Sequence, residues 1–207
     1  MYWKIASLLI FAIFCLWVWY ESHRTVRNAK KDEEAFWERE EKANSTRRKP
    51  IDHLDYIKVP DDLPFGLKTE NDNIASYNKI VEELKGQKIL NLTGYTNTDL
   101  KLEYGAPNIT ELSRYDQNYT TLVTTLQKWA DELSELNEED AATKIMEYMI
   151  RIKCDIGKTY RLLGKKYLKE NNTEAFDDLI ETIMGTRSLN KEYIKSSLEE
   201  MRDKAGL

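Results

Sequence analysis

Hydrophobic positions along this chain change their spacing several times, and each change marks a segment. From Ile5 to Tyr20 the run is apolar without interruption, with Tyr2 and Trp3 before it and Trp17, Trp19 and Tyr20 closing it. Aromatic residues at both ends suit a helix whose ends rest among lipid headgroups. From Trp3 to Trp19 such a helix rises roughly 24 Å at ~1.5 Å per residue. That is slightly short of a hydrocarbon core of ~30 Å, and Lys4 and the amino terminus are placed to snorkel. The run ends in Trp-Val-Trp-Tyr-Glu, with no small-residue cleavage site, and Cys15 follows Phe14 where a lipoprotein signal needs a small residue. An uncleaved anchor over residues 1–22 is therefore expected, not a signal peptide.

Residues 23–49 are dense in both signs of charge, carry Glu38 and Lys42 at i,i+4, and contain no Gly or Pro. This predicts a helical stalk continuing the span. Phe36 and Trp37 stand out on it, either packing on the domain or meeting a membrane surface or partner. Residues 50–117 read as an extended connector with accessory helices. Pro60, Pro64 and Gly66 break the first part, while Ile51, Leu54, Tyr56, Ile57, Val59, Leu63 and Phe65 let it lie against a core. Ile74, Tyr77, Ile80, Val81 and Leu84 form a 3.6-residue stripe over residues 71–85. Lys88 to Gly94 reads as a short strand or a buried loop. Thr98 is placed to cap a short helix that ends before Gly105 and Pro107.

Beyond Asn108 the helical pattern repeats. A shift of 34 residues lays Leu126 on Tyr160, Trp129 on Leu163, Ala130 on Gly164 and Leu133 on Tyr167. It also lays Ala142 on Phe176, Met146 on Ile180 and Met149 on Ile183, and a second shift reaches Ile194, Leu198 and Met201. Asn137 and Asn171 fall at the turns, where left-handed backbone favours Asn. A 34-residue unit of two helices resembles the tetratricopeptide repeat (TPR). The resemblance spans roughly residues 118–202 and departs from the family pattern in places. The signature Trp is Leu126 and then Tyr160, the closing Pro is absent, and Phe176 holds the second unit's signature Ala position. The words Thr96-Asn-Thr-Asp-Leu-Lys-Leu-Glu-Tyr-Gly-Ala-Pro-Asn-Ile-Thr and Tyr115-Asp-Gln-Asn-Tyr also resemble a group of single-span bacterial membrane proteins with such a tail. That likeness implies no activity.

The expected architecture is all-α: an N-terminal transmembrane helix, a charged helical stalk, and TPR-like helical hairpins over residues 118–207 closed by a C-terminal capping helix, 190–204. Two full units are fewer than the three or so a solenoid needs. The capping helix and the helices of residues 71–118 are expected to cover the two ends.

Charge and chemistry then narrow the function. A net charge of -5 argues against nucleic acid. Cys15 and Cys154 form no disulfide framework. Arg24, Arg27, Lys30 and Lys31 behind the span favour a cytoplasmic domain on a single-pass cell-membrane protein. Asn-x-Ser/Thr triplets at Asn44, Asn91, Asn108, Asn118 and Asn171 read as products of an Asn- and Thr-rich composition. Gly157-Lys158-Thr159 mimics the end of a phosphate loop, but Ile152 stands where its first Gly belongs. Ser76 and Lys79 have the spacing of an acylating serine on an amphipathic helix without its partner motif. Asp52, His53 and Asp55 lack a second set of metal ligands. No catalytic residue, metal or cofactor is expected.

One constellation points to binding. Lys158, Arg161, Lys165 and Lys169 recur at spacings of three and four on one helix face. Such a ridge suits an acidic peptide or a terminal carboxylate; alternatively it faces Asp131 and Glu135 one unit earlier. The expected function is a membrane-anchored scaffold or adaptor for protein partners. The competing expectation is an accessory subunit that contacts another membrane subunit through its span and stalk, with Phe36 and Trp37 at the contact.

Overall fold

The computed structural model describes residues 2–67 and 71–206, with the side chains of residues 2 and 4–10 outside that description. Among the described residues the fold is all-α. Its helices are α1 (Tyr2–Ser45), α2 (Asp72–Lys85), α3 (Asn97–Tyr104), α4 (Ile109–Glu135), α5 (Glu139–Arg151), α6 (Gly157–Lys169), α7 (Thr173–Met184) and α8 (Lys191–Ala205). The chain divides into two compact units, Met1–Lys49 with Asn97–Pro107, and Pro50–Thr96 with Asn108–Leu207.

In the smaller unit the apolar run and the charged stretch form one continuous helix, because no Gly or Pro interrupts the backbone hydrogen bonding. Among the described residues no helix is long and apolar enough to cross a membrane. The side chains of residues 4–10, in the first half of the predicted span, lie outside the description. The span's described part is exposed at Trp3, Phe11, Phe14, Trp17, Trp19 and Tyr20. The helix stops at Ser45, where the Ser45 and Thr46 hydroxyls donate to the Lys42 carbonyl at 3.0 and 2.8 Å. Serving that orphan carbonyl ends the helix four residues before the predicted stretch does.

Helix α3 packs on the C-terminal part of α1. Arg39 donates to Asp99 at 2.6 Å, and Lys101 reaches Glu40 at 3.3 Å and Asn44 at 2.8 Å. Thr98 does not cap this helix as expected. It lies inside the helix and donates its hydroxyl to Glu40. Gly105 follows at φ 94°, and a Cβ there would lie 2.2 Å from the Arg47 carbonyl oxygen. Only glycine permits this approach.

In the larger unit the connector lies along the core, with Ile51 and Leu63 buried and Ile57, Val59 and Phe65 partly so. Asn71 caps α2, its side chain accepting from the Asn73 and Ile74 N–H groups. The Asn71 and Asn73 amides both donate to Glu132 at 2.9 Å, tying α2 to α4. Residues 88–94 form a buried loop instead of a strand. The Ile57 N–H reaches the Ile89 carbonyl at 2.9 Å, and Ile89, Leu90 and Leu92 point into the core.

The 34-residue offset recurs in the backbone itself. Helices α4 and α6 end at Glu135 and Lys169; α5 and α7 start at Glu139 and Thr173; α6 and α8 start at Gly157 and Lys191. Asn137 and Asn171 are both left-handed, at φ 60° and 54°. The Asn137 N–H bonds Ser134 and the Asn171 N–H bonds Leu168, each at 3.1 Å. Glu138 to Leu133 and Asn172 to Tyr167 follow at 2.9 Å each. Trp129 and Leu163 are fully buried at equivalent places, as are Leu126 and Tyr160, and Met149 and Ile183. Each such side chain contributes ~1.5–3 kcal/mol on leaving water. The register departs at the front: α4 begins at Ile109, and its extra turns bring Tyr115 and Tyr119 onto the 88–94 loop, where the Leu90 N–H reaches the Tyr115 carbonyl at 3.2 Å and the Asn91 amide reaches the Tyr119 hydroxyl at 2.9 Å.

Candidate functional site: the basic face of helix α6

Helix α6 starts at Gly157, and its apolar positions Tyr160, Leu163, Gly164 and Tyr167 turn inward. That leaves Lys158, Lys165 and Lys169 exposed and Arg161 half-buried at its edge. The four predicted residues share one face, as their spacing requires, but they are not equivalent. Lys158 Nζ lies 2.7 Å from Asp131 Oδ2 on α4, and Asp131 also accepts from the Gln127 amide at 2.8 Å. Arg161 folds back over the first turn, its guanidinium 3.1 Å from where a Cβ on Gly157 would sit. Among the described residues, Arg161, Lys165 and Lys169 form no ion pair. The acidic neighbour therefore neutralises one end of the ridge and leaves the other end open.

The acidic row one unit before α6 has a match one unit after it that only the structure brings into view. At the 34-residue offset, Asp131 and Glu135 on α4 correspond to Lys165 and Lys169 on α6, and these to Glu199 and Asp203 on α8. Glu199 pairs with Lys195 of its own helix at 3.6 Å, not with α6. An exposed pair such as Lys158–Asp131 contributes ~0–1 kcal/mol, so a carboxylate of another molecule competes with it on even terms.

Phe36 and Trp37 belong to the smaller unit. Their rings meet edge-to-face at 5.3 Å between centroids, and both are more than half exposed. Neither is covered by a packed core.

The other motifs resolve locally. Thr159 is fully buried and donates to Gln127 Oε1 at 2.6 Å, so Gly157-Lys158-Thr159 is the start of a packed helix and not a phosphate loop. Ser76 and Lys79 are exposed on α2, and Asp52 lies 3.5 Å from Lys88. Among the described residues, no three His, Cys, Asp or Glu side chains are grouped to hold a metal ion. Burial pushes the Cys154 thiol up to about 12, far from the range of a reactive thiolate. Burial likewise raises Tyr119 and Tyr160 and keeps them neutral.

Compared with protein-family models, curated proteins and solved structures, the chain finds no match.

Proposed function

We propose that this chain is a membrane-anchored adaptor without enzymatic activity. In this reading residues 2–20 hold it in the bilayer as a single-pass span, with its domain on the cytoplasmic side. The TPR-like hairpins recruit a protein partner through the basic face of α6. The observation that carries the reading is the 34-residue recurrence of helix ends, left-handed Asn turns and buried positions. Stacked hairpins present a long shallow surface suited to a docked peptide or helix. The open cations Arg161, Lys165 and Lys169 favour an acidic segment through charge-assisted hydrogen bonds. Anchoring confines the partner near the membrane and raises its effective concentration.

The exposed Phe36–Trp37 pair supports a second reading, an accessory subunit that meets another membrane protein through its span and stalk. Crosslinking in native membranes with mass spectrometry separates the two. The adaptor loses its partner when Arg161 and Lys165 are both replaced by Glu, and keeps it when residues 1–20 are exchanged for an unrelated span. The reverse pattern establishes the accessory subunit and ends the groove reading. Protease accessibility from each side of the membrane fixes the orientation.

A further inference from the structure

A separate cleft of about 270 Å³ opens in the larger unit, where the loop through Asn91 and Tyr95 meets the C-terminal ends of α5 and α7. Three cations line it, Arg151, Lys153 and Arg187, against one carboxylate, Asp55. Among the described residues none of the three cations forms an ion pair. In a chain of net charge -5 this is a local reversal of sign.

Cations at helix C-termini commonly answer the partial negative charge of the last carbonyls. Here that charge already has partners. The Tyr148, Met149 and Ile150 carbonyls in the last turn of α5 accept from the Ile152, Cys154 and Lys153 N–H groups at 3.1, 3.0 and 2.8 Å, and the Ile152 and Lys153 carbonyls just beyond it accept from the Asn91 amide at 3.3 and 3.1 Å. The positive charge is therefore in excess of what the helix end requires.

Lys153 adds a second, independent observation. It closes α5 in left-handed backbone at φ 59°, with the Lys153 N–H on Ile150 and the Cys154 N–H on Met149. Glycine is the usual residue at that place, and the two other left-handed non-glycine residues among those described are Asn137 and Asn171. A lysine held where glycine fits more easily points to use of its side chain.

Arg187 is positioned from two sides. Its guanidinium stacks on the Tyr95 ring at 4.2 Å, which leaves its N–H edges free. Gly94, at φ 83°, lies so close to the Arg187 backbone that a Cβ would approach its carbonyl oxygen to 2.4 Å.

We propose that this cleft binds a small oxyanion, a phosphate or carboxylate group, held by Arg151, Lys153 and Arg187. The cleft is below the ~300–1,000 Å³ of drug-sized pockets, so it fits the anionic group with a few attached carbons. The group is carried either by a free small molecule or by the side chain of a peptide.

Calorimetric titration of the full chain at low ionic strength, with matched chloride controls, tests this. The probes are inorganic phosphate and a hexapeptide of glutamates with blocked ends. Saturable binding is expected, weakened at least tenfold by Arg151→Glu combined with Arg187→Glu. Lys153→Gly should weaken binding several-fold while raising the melting temperature, since the turn then loses its strain. A stronger response to phosphate assigns a free anion; a stronger response to the peptide assigns a peptide-borne carboxylate. Arg161→Glu with Lys165→Glu should leave phosphate binding intact, so this cleft and the α6 face are judged separately. Absence of saturable binding by both probes overturns the proposal, as does unchanged affinity in the Arg151 and Arg187 double variant.

Discussion

Leu198 Cδ2 on α8 lies 2.9 Å from the point that a Cβ on Gly164 of α6 would occupy. Phe176 Cε2 stands 3.2 Å from the same point, and all three residues are buried. Gly164 thus opens a notch that Leu198 fills. A glycine in mid-helix costs roughly 1 kcal/mol against alanine, and the notch offsets that cost through Leu198.

Gly164→Val should destabilise the larger unit by ~1–3 kcal/mol through overpacking. Leu198→Ala should cost ~2–5 kcal/mol by opening a cavity. Chemical denaturation of both single variants and the double variant measures the coupling. The double variant should be less destabilised than the sum of the singles, because the added methyls partly occupy the vacated space. Additive costs would show that the two residues are not in contact. Leu198→Asp, which buries an unpaired carboxylate, should leave no cooperative transition at all.

The paired turns give a stricter test of the repeat. Asn137→Ala and Asn171→Ala should each destabilise by about 1 kcal/mol, because alanine meets left-handed backbone without asparagine's tolerance. Asn→Gly at either position should be neutral or slightly stabilising. Thermal melts of the four variants should therefore fall into two matched pairs. A large disparity between positions 137 and 171 would break the equivalence.

Acid should loosen α3 before the larger unit. The Thr98 hydroxyl, and then Lys101 and Arg39, hold the Glu40 carboxyl below its ordinary 4.5. A lowered folded value means that the charged form stabilises the α1–α3 contact above about pH 4.5. That contribution is lost as pH falls through the folded value. Amide exchange of α3 followed from pH 6 to pH 3 should show protection declining in the acid part of the range. In Glu40→Gln the decline should shrink to the part carried by the Arg39–Asp99 pair. A native-like decline in that variant would assign the effect to another group.

Thiol labelling separates the two cysteines. Cys154 is fully buried and its thiol is pushed up to about 12, so it should resist maleimide at neutral pH until the larger unit unfolds. Cys15 is exposed on α1 and should react in detergent solution. In native membranes a charged maleimide should not reach it if residues 2–20 span the bilayer. Equal labelling of Cys15 in both settings would remove the anchor from the proposed function.

Much of the fold was legible because one period recurs along the chain. A stripe such as Leu126, Trp129 and Leu133 declares an inward face without reference to anything distant, and its copy 34 residues on removes the ambiguity. Asn137 and Asn171 were legible for the same reason. Thr98 was not, because its hydroxyl answers to Glu40, 58 residues away in sequence. A capping residue and a residue with a distant carboxylate look alike in a linear reading. The oxyanion cleft was invisible for a related reason. Arg151 and Lys153, Arg187, and Tyr95 come from three separate stretches of chain, and the left-handed turn at Lys153 leaves no trace in its residue type.

Helix ends and turns that recur at one fixed interval make this tail modular. A spacer of 34 residues inserted at the Asn171 turn adds a whole hairpin and returns the downstream helices to the same orientation. The tail therefore lengthens or shortens by whole hairpins, one 34-residue unit at a time.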